Sequence, residues 1–233
     1  MSKCIITGAS RGIGLATAKL LISRGHQVLC LSRTPCPEKE VSWENVDLQR
    51  LDENQDLKGK IEKFLDGDKK FSLVHNAGSL KKDSTLNLSS SQFREVLEVN
   101  LVAPLILNQM VLPLMGEGSS IIYIGSTLAH KAVAGACSYV SSKHGLVGLM
   151  RATCQDLVGR MIHTSCICPG FTDTEMLQTH LGADPEIVKS VAGGVSFGRL
   201  ITPEEQARVV EFCIENPVMN GSVIDSNLGQ IER

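Results

Sequence analysis

The sequence predicts a single-domain α/β fold, in which a doubly wound parallel sheet of about seven strands is covered by helices on both faces. Short apolar runs alternate with longer amphipathic segments along the 233 residues, an alternation typical of parallel strands joined by helices. Most runs lack a regular polar alternation, as expected for strands that are buried on both faces. No Pro- or Gly-rich linker and no internal repeat divides the chain, so one domain over 1–233 is predicted.

Seven short runs are the predicted strands of this sheet. Six are strongly apolar, and a weaker one lies at 41–46. The six apolar runs span 4–6, 27–31, 71–74, 121–124, 164–167 and 222–224. The helical segments between them begin near Gly12, Leu51, Ser91, Ala103, Tyr139 and Pro203. Because ligands bind beyond the carboxyl ends of the strands in such sheets, the residues that follow each run are the candidates for function.

The composition is that of a soluble globular protein. The chain is 42% hydrophobic and 21% charged, which excludes a disordered, collagenous or coiled-coil architecture. Its 23 Lys and Arg nearly balance 25 Asp and Glu, for a formal net charge of -2. Without a basic excess, we expect neither nucleic acid nor a membrane as a partner. The longest apolar stretch, 99–115, contains Asn, Gln and Pro residues and is too polar for a membrane span.

The cysteines indicate a reducing compartment. Several of the eight lie inside apolar runs, where Cys behaves as a small core residue. No signal-peptide pattern opens the sequence, so we expect a cytoplasmic protein. Cys166 and Cys168 share a face of a predicted strand, but neither a metal nor a redox role is favoured for them. The six histidines show no ligand spacing, so no metal site is expected.

A glycine-rich turn follows the first predicted strand. The segment 7–14 reads TGASRGIG and precedes a helical pattern. Glycines let a pyrophosphate approach the backbone closely, and the N-terminus of the following helix offers free N–H groups to it. This position favours nucleotide binding over the alternative, a tight strand–helix connection without a ligand. The candidate contacts are Gly8, Ser10, Arg11, Gly12, Ile13 and Gly14.

The end of the second predicted strand indicates which dinucleotide binds. An NAD site usually offers an acid there, whereas an NADP site offers Arg to the 2′-phosphate. The strand ends Leu31-Ser32-Arg33 without an acid, and Arg11 lies in the glycine turn. Guanidinium groups form charge-assisted bonds with phosphate, so the sequence favours NADP(H). The alternative is that both arginines are solvated surface residues.

A second set of residues indicates proton chemistry. Tyr139 and Lys143 are four apart in a predicted helix and therefore lie on one face. An ammonium group near a phenol favours the phenolate and lowers its pKa; a surface Tyr beside a surface Lys is the alternative. Ser126 follows the strand at 121–124, at the carboxyl edge of the sheet. Asn100 lies in an apolar helix, where it would hold either a water or a structural side-chain bond.

Together these residues resemble the short-chain dehydrogenase/reductase family, whose members have a Rossmann-type fold. The resemblance covers nearly the whole chain and combines many motifs in order. These are the glycine turn, Asn76-Ala77-Gly78, Asn100, Ser126, Tyr139, Lys143, the segment PGFTDT at 169–174, and Asp47-Leu48. It implies an NADPH-dependent oxidoreductase that reduces a ketone or aldehyde carbonyl to an alcohol by reversible hydride transfer.

The resemblance also implies a role for each residue. Tyr139 would exchange a proton with the substrate oxygen, and Ser126 would stabilise charge on that oxygen. Lys143 would lower the pKa of Tyr139 and bond the nicotinamide ribose, and Asn100 would anchor a water that connects Lys143 to solvent. Thr174 and the backbone near Thr172 would fix the carboxamide, and Asp47-Leu48 would hold the adenine. The expected cofactor contacts beyond the turn are Ser32, Arg33, Asp47, Leu48, Asn76, Ala77, Gly78, Tyr139, Lys143, Pro169, Gly170, Thr172 and Thr174.

Two departures from the family pattern concern the strand ends. The family often has two Asn before Ala-Gly, and here the first is His75. Near the C-terminus an Asp-Gly-Gly segment is common, and here 227–229 read Asn-Leu-Gly. The family packs that region, and helices matching about 91–115 and 139–158, at subunit interfaces. We therefore expect a homodimer or homotetramer, and the second departure weakens the case for the tetramer.

The segment at about 176–198 is expected to cover the substrate. Its apolar residues suggest an apolar small-molecule carbonyl or alcohol substrate, unless they face the core instead. Reduction of 3-oxoacyl groups on an acyl carrier protein is the runner-up: Arg160 matches a basic docking position, but Glu117 places an acid at the other and should repel an acidic carrier. A non-catalytic NADP-binding sensor is a further alternative.

Overall fold

The computed structural model describes residues 2–182 and 184–231, and in this part of the chain seven strands form one parallel sheet. Their order is β3-β2-β1-β4-β5-β6-β7, and every neighbouring pair is parallel. The predicted fold class is therefore confirmed. The strands are β1 Lys3–Thr7, β2 Gln27–Ser32, β3 Ser42–Asn45, β4 Phe71–His75, β5 Ser120–Ile124, β6 His163–Pro169 and β7 Ser222–Ser226.

Helices cover both faces of the sheet and enclose two apolar cores. On one face α1 and α8 contribute Leu21 and Val210 to a core with the strand residue Ile6. On the other face the core combines helices α2, α4 and α5 with the neighbouring strand residue Ile5, because successive side chains of a strand point to opposite faces. The helices are α1 Gly12–Ser23, α2 Leu57–Leu65, α3 Ser90–Leu97, α4 Ala103–Val111, α5 Cys137–Asp156, α6 Glu175–Leu181, α7 Pro185–Ala192 and α8 Pro203–Glu215.

The strand order reverses its direction of growth at β1 and β4, which are adjacent in the sheet. In open parallel sheets this reversal opens a crevice beyond the carboxyl ends of the two strands. The turn after β1 and the segment after β4 therefore border the crevice, and the segments after β5 and β6 continue along the same edge. The predicted site residues are concentrated in these four segments.

One local prediction differs from the structure. The helix predicted near Leu51 begins at Leu57, because Leu48–Glu53 forms a 3-10 helix with non-helical φ/ψ at Arg50. The weak strand predicted at 41–46 is confirmed as the largely exposed edge strand β3. The helical starts predicted near Ser91 and Ala103 are confirmed as α3 and α4, and one π-helical turn, Glu98–Val102, joins them.

Within the described residues, no helix is long and apolar enough to cross a membrane. The predicted domain 1–233 includes Met1, Glu232 and Arg233, and the predicted covering segment includes Ala183. These four positions lie outside the described residues.

Candidate active site

The glycine turn packs tightly against the end of β4. Gly8 adopts a φ of +71°, and a Cβ on it would lie 3.0 Å from the Cα of Ala77. A Cβ on Gly14 would lie 2.6 Å from the Gly8 carbonyl oxygen. The Asn76 amide Nδ2 donates to the carbonyl oxygens of Thr7 and Gly8 at 2.9 and 3.0 Å. The turn therefore requires glycine, and the Asn76 side chain holds the turn in place.

The N-terminus of α1 is available to an anion. This helix begins at Gly12, its N-cap residue Arg11 makes no side-chain cap, and its first turn contains no acid. The first amides of a helix need partners, and a phosphate group fits this arrangement. Ser10 is half-buried in the turn. The Ile13 side chain packs against the core, which leaves its backbone as the candidate contact.

The two predicted cations lie in different environments. Arg33 is exposed after β2 and forms no ion pair with any described residue. Arg11 forms an ion pair with Glu175 of α6 at 2.8 Å, and both side chains are largely exposed. An exposed ion pair contributes at most about 1 kcal/mol, so a phosphate could replace Glu175 as the partner of the Arg11 guanidinium.

The segment after β3 lies beside the end of β2. The Val46 N–H donates to the Ser32 carbonyl oxygen at 3.2 Å, which brings Asp47 and Leu48 next to Ser32. The Asp47 carboxylate accepts from the Gln49 N–H at 3.1 Å, and Leu48 is buried. The Ser32 hydroxyl donates to the Thr34 carbonyl oxygen at 2.6 Å. The two predicted adenosine-binding segments are thus adjacent.

Tyr139 and Lys143 lie together on the buried face of α5. Lys143 is only 3% exposed, and its Nζ donates to the Ile124 carbonyl oxygen at 2.7 Å. The same Nζ lies 5.4 Å from the centre of the Tyr139 ring. Ser126 lies two residues beyond Ile124, and its hydroxyl acts to lower the pKa of Tyr139, so the two side chains are neighbours. The structure therefore brings three of the four predicted catalytic side chains together at the end of β5.

Burial dominates the protonation of this group. It raises the pKa of Tyr139 to about 12, and the neighbouring Ser126 hydroxyl opposes the rise. Burial also lowers the pKa of Lys143 to about 8. The sequence predicts a lowered phenol pKa, but desolvation determines the direction of the shift and raises it instead. The Tyr139 phenol is consequently protonated at neutral pH.

Asn100 borders the group from the π-helical turn. Its Nδ2 donates to the Ser79 carbonyl oxygen at 3.0 Å and to the Ser142 hydroxyl at 2.9 Å. Its Oδ1 accepts from the Ser79 N–H at 2.7 Å. A Cβ on Gly78 would lie 3.7 Å from this Oδ1 and 3.8 Å from Lys143 Nζ. The amide thus joins the segment after β4 to α5 beside Lys143.

Asp83, which the sequence analysis missed, caps the helix that carries Tyr139. The helix α5 has no side-chain cap of its own at Ala136. The Asp83 carboxylate accepts from the Ser138 N–H at 3.0 Å and from the Ser138 hydroxyl. A carboxylate is stabilising at a helix N-terminus. No sequence signal connects two positions 55 residues apart, so the contact is visible only in the fold.

The segment after β6 leads into the predicted covering region. Gly170 is packed so closely that a Cβ would lie 2.8 Å from the Cβ of Asn227. The buried Thr172 donates its hydroxyl to the Gly170 carbonyl oxygen at 3.1 Å. The Thr174 hydroxyl accepts from the Leu177 N–H at 3.3 Å and caps α6. Pro169 ends β6, so these residues follow the carboxyl edge as predicted.

The helices α6 and α7 lie on the surface, and neither contains a buried residue. The Met176 methyl group lies 3.9 Å from the Cβ position of Gly78, which is itself next to Lys143. The start of α6 therefore covers the crevice between β4 and β6. This position agrees with a covering role and leaves the apolar side chains of these helices outside the core.

His75 is the buried residue that departs from the family pattern. Its Nε2 donates to the Asn108 Oδ1 at 2.8 Å, and the Asn108 Nδ2 donates to the Tyr123 hydroxyl at 2.6 Å. The His75 Nδ1 has no hydrogen-bond partner among the residues that the structure describes. Burial lowers the pKa of His75 to about 4. The imidazole is therefore neutral and structural, one residue before the cofactor segment 76–78.

Comparisons with known proteins agree with this geometry. The pattern of the short chain dehydrogenase family matches residues 2–183. Carbonyl reductase family member 4 of Xenopus tropicalis is 33% identical over 230 residues, covering 95% of this chain and 94% of that protein. The 3-oxoacyl-acyl-carrier-protein reductase of Chlamydia pneumoniae is 31% identical over 227 residues, covering 90% and 88%.

A solved structure extends the comparison to the fold. The ligand-free aldohexose dehydrogenase of Thermoplasma acidophilum superimposes with a TM-score of 0.90 at 25% identity, covering 98% of this chain and 93% of that one. The parallel sheet, the glycine turn and the matched relatives lead to one conclusion. This chain belongs to the short-chain dehydrogenase/reductase family, whose oxidoreductases use a nicotinamide cofactor.

Proposed function

We propose that this protein is an NADPH-dependent reductase that converts a ketone or aldehyde carbonyl to an alcohol. The convergence of Ser126, Tyr139 and Lys143 at the end of β5 carries the proposal. All three approach the carboxyl edge of the sheet, where the glycine turn and Gly78 also lie. The Xenopus tropicalis relative is named a carbonyl reductase, which supports the same reaction class.

Each of the four predicted catalytic residues has a separate role in the proposed reaction. Tyr139 donates its proton to the carbonyl oxygen, and its high pKa keeps that proton available at neutral pH. Ser126 donates a hydrogen bond to the same oxygen and stabilises its developing charge. The Lys143 Nζ is held in place by the Ile124 carbonyl oxygen and would bond the nicotinamide ribose. The Asn100 amide fixes the backbone of Ser79 beside it. NADPH, when bound, supplies the hydride.

The charges near β2 support NADP(H) over NAD(H). The end of β2, Leu31-Ser32-Arg33, has no acid to accept from the ribose hydroxyls, and Arg33 is exposed with no ionic partner among the described residues. Each charge-assisted bond to the 2′-phosphate contributes about 1.5–3 kcal/mol. We therefore expect NADPH to bind more than about tenfold more tightly than NADH. Equal dissociation constants for the two cofactors would refute this part of the proposal, and Arg33→Asp should reverse much of the preference.

The substrate is proposed to be a small apolar carbonyl compound. Met176 at the start of α6 lies beside Gly78 in the crevice, and α7 carries further exposed apolar side chains such as Ile187. Reduction on an acyl carrier protein, suggested by the Chlamydia pneumoniae relative, finds less support. Arg160, which matches a basic docking position, donates its guanidinium to the Leu112 carbonyl oxygen at 2.9 Å. Glu117, at the other docking position, is an exposed acid that should repel an acidic carrier.

Turnover with a Tyr139→Phe variant tests the proposal. NADPH consumption is measured with a panel of ketones and aldehydes, including free and carrier-linked 3-oxoacyl compounds. Losing the proton donor should reduce turnover by about 10²–10⁴-fold or more while NADPH affinity stays nearly unchanged. Tyr123→Phe is the matched control, because it removes the only other phenol hydroxyl of the chain and should preserve turnover.

Two outcomes would contradict the proposal. A Tyr139→Phe protein that keeps most of its carbonyl-reducing activity would show that another group supplies the proton. A wild-type protein that binds NADPH but reduces no compound of the panel would favour the sensor alternative.

A further inference from the structure

Three metal-ligating side chains converge at the carboxyl edge of the sheet, next to β6 and β7. Cys168 and Asp225 are direct partners in the register of these parallel strands, so their side chains lie on the same face as neighbours. His130 directly follows the short 3-10 helix Thr127–Ala129, which comes after β5. Its Nε2 lies 3.2 Å from the Asp225 Oδ1, and the ligand atoms of all three residues lie within 4.8 Å of one another.

One of the three side chains is buried and fixed by the sheet, whereas the other two are partly exposed to solvent. Cys168 is fully buried, and its Sγ lies 3.0 Å from the Cβ position of Gly125. The side chains of His130 and Asp225 are 40% and 49% exposed. An ion could therefore enter from solvent, and the two exposed side chains could adjust around a thiolate whose position the sheet fixes.

The spacing is close to that of a tetrahedral site. Zinc bonds of about 2.0–2.3 Å place neighbouring ligand atoms about 3.3–3.6 Å apart in a tetrahedron. The His130–Asp225 distance of 3.2 Å is close to this range, and the remaining distances, which are at most 4.8 Å, require an inward movement of about 1 Å. Ligation deprotonates the thiol, so a thiolate and a carboxylate would balance the charge of a divalent ion.

We propose that His130, Cys168 and Asp225 bind one divalent transition-metal ion of the zinc type, with water at the fourth position. Imidazole, thiolate and carboxylate together select zinc over magnesium or calcium, which prefer oxygen ligands. The sequence alone predicts no metal site, since the three positions are far apart in the chain and show no ligand spacing. The proposal does not depend on the proposed reductase activity, because it uses none of the four predicted catalytic residues.

Metal titration of the full-length protein tests the site. Chelator-treated protein is titrated with Zn²⁺ by calorimetry, and with Co²⁺ by absorption spectroscopy. We expect about one equivalent of Zn²⁺ per chain with a Kd below about 10 µM. We also expect a thiolate-to-cobalt charge-transfer band and the intense visible bands of tetrahedral cobalt.

Variants assign the binding to these three residues. His130→Gln changes an exposed side chain and should not disturb the fold, yet it should weaken Zn²⁺ binding by more than about 100-fold, since even outer-shell partners contribute 10–100-fold. Cys168→Ser should abolish the charge-transfer band. His144→Gln and Cys154→Ser are matched controls outside the cluster and should bind Zn²⁺ as the wild type does.

Three results would overturn the proposal. One is binding weaker than about 100 µM in the wild type. Another is an affinity that His130→Gln leaves unchanged. The third is a cobalt complex without a thiolate band.

Discussion

Acid should destabilise this protein through His75, and the size of the effect follows from its burial. The ordinary pKa of histidine, 6.5, falls to about 4 at this position because burial disfavours the charged ring. The ring is 3% exposed, and no acceptor in the described part of the chain faces its Nδ1, where the added proton would be placed. Above pH 6.5 the ring is neutral in both the folded and the unfolded chain, so it contributes no pH dependence there.

Below pH 6.5 the unfolded chain binds the proton and the folded chain does not. The free energy of unfolding therefore falls as the pH decreases from 6.5 towards 4, and no further loss from His75 occurs below pH 4. At about 1.4 kcal/mol per pH unit, the loss is about 2 kcal/mol at pH 5 and approaches about 3 kcal/mol below pH 4.

Urea unfolding at pH 7.5 and pH 5, at one protein concentration, measures this loss. Other groups also titrate in this range, so the informative quantity is the difference between the wild type and His75→Asn. Asn is the residue that the family often has here, and it does not titrate. The variant should lose about 2 kcal/mol less than the wild type between the two pH values, whatever its stability at pH 7.5. His144→Gln, which removes an exposed histidine, is the matched control and should follow the wild type. Equal losses in the wild type and His75→Asn would refute the reasoning.

Three further predictions concern the site and the assembly. Lys143→Ala should lower turnover and also weaken NADPH binding, measured by steady-state kinetics and by titration; an unchanged NADPH affinity would contradict the ribose contact. Asp83→Ala should lower the free energy of unfolding by about 1 kcal/mol, as expected for a lost helix cap, and should lower turnover at Tyr139; Asp83→Asn, which keeps an acceptor for Ser138, should recover much of both. The wild type should be a dimer or tetramer by light scattering at micromolar concentration, and Leu105→Glu, at an α4 side chain that is 43% exposed, should shift it towards monomer; a monomeric wild type would refute this.

The sheet was predictable because buried parallel strands are apolar almost without interruption. Each of the six apolar runs is a strand, and the residues that follow four of them, β1, β4, β5 and β6, border the crevice or continue along its edge. Local helix boundaries were harder to predict, because Leu48–Glu53 contains apolar residues at helical spacing but folds as a 3-10 helix. The edge strand β3 is only weakly apolar in sequence, because most of its residues are exposed to solvent.

The chemical environment of the site was less predictable than its residues. The i, i+4 spacing placed Tyr139 near Lys143, but spacing carries no information about burial, which decides the direction of the Tyr139 pKa. Contacts across strands also need the register of the sheet, which the sequence does not provide. For this reason neither the Asp83 cap of α5 nor the partnership of Cys168 with Asp225 could be predicted.

The π-helical turn at Glu98–Val102 constrains the length of the chain between α3 and α4. A π-turn holds one more residue than an α-turn at the same place and is usually less stable. Deleting one residue there would let α3 and α4 join as a regular α-helix with nearly the same faces, because the wide π-turn is what absorbs the extra residue. The widened turn that places Asn100 against Ser79 and Ser142 would then be lost. A shorter chain would thus gain a better helix and lose the link between α5 and the segment after β4, so we expect stability and catalysis to select for different lengths at this turn.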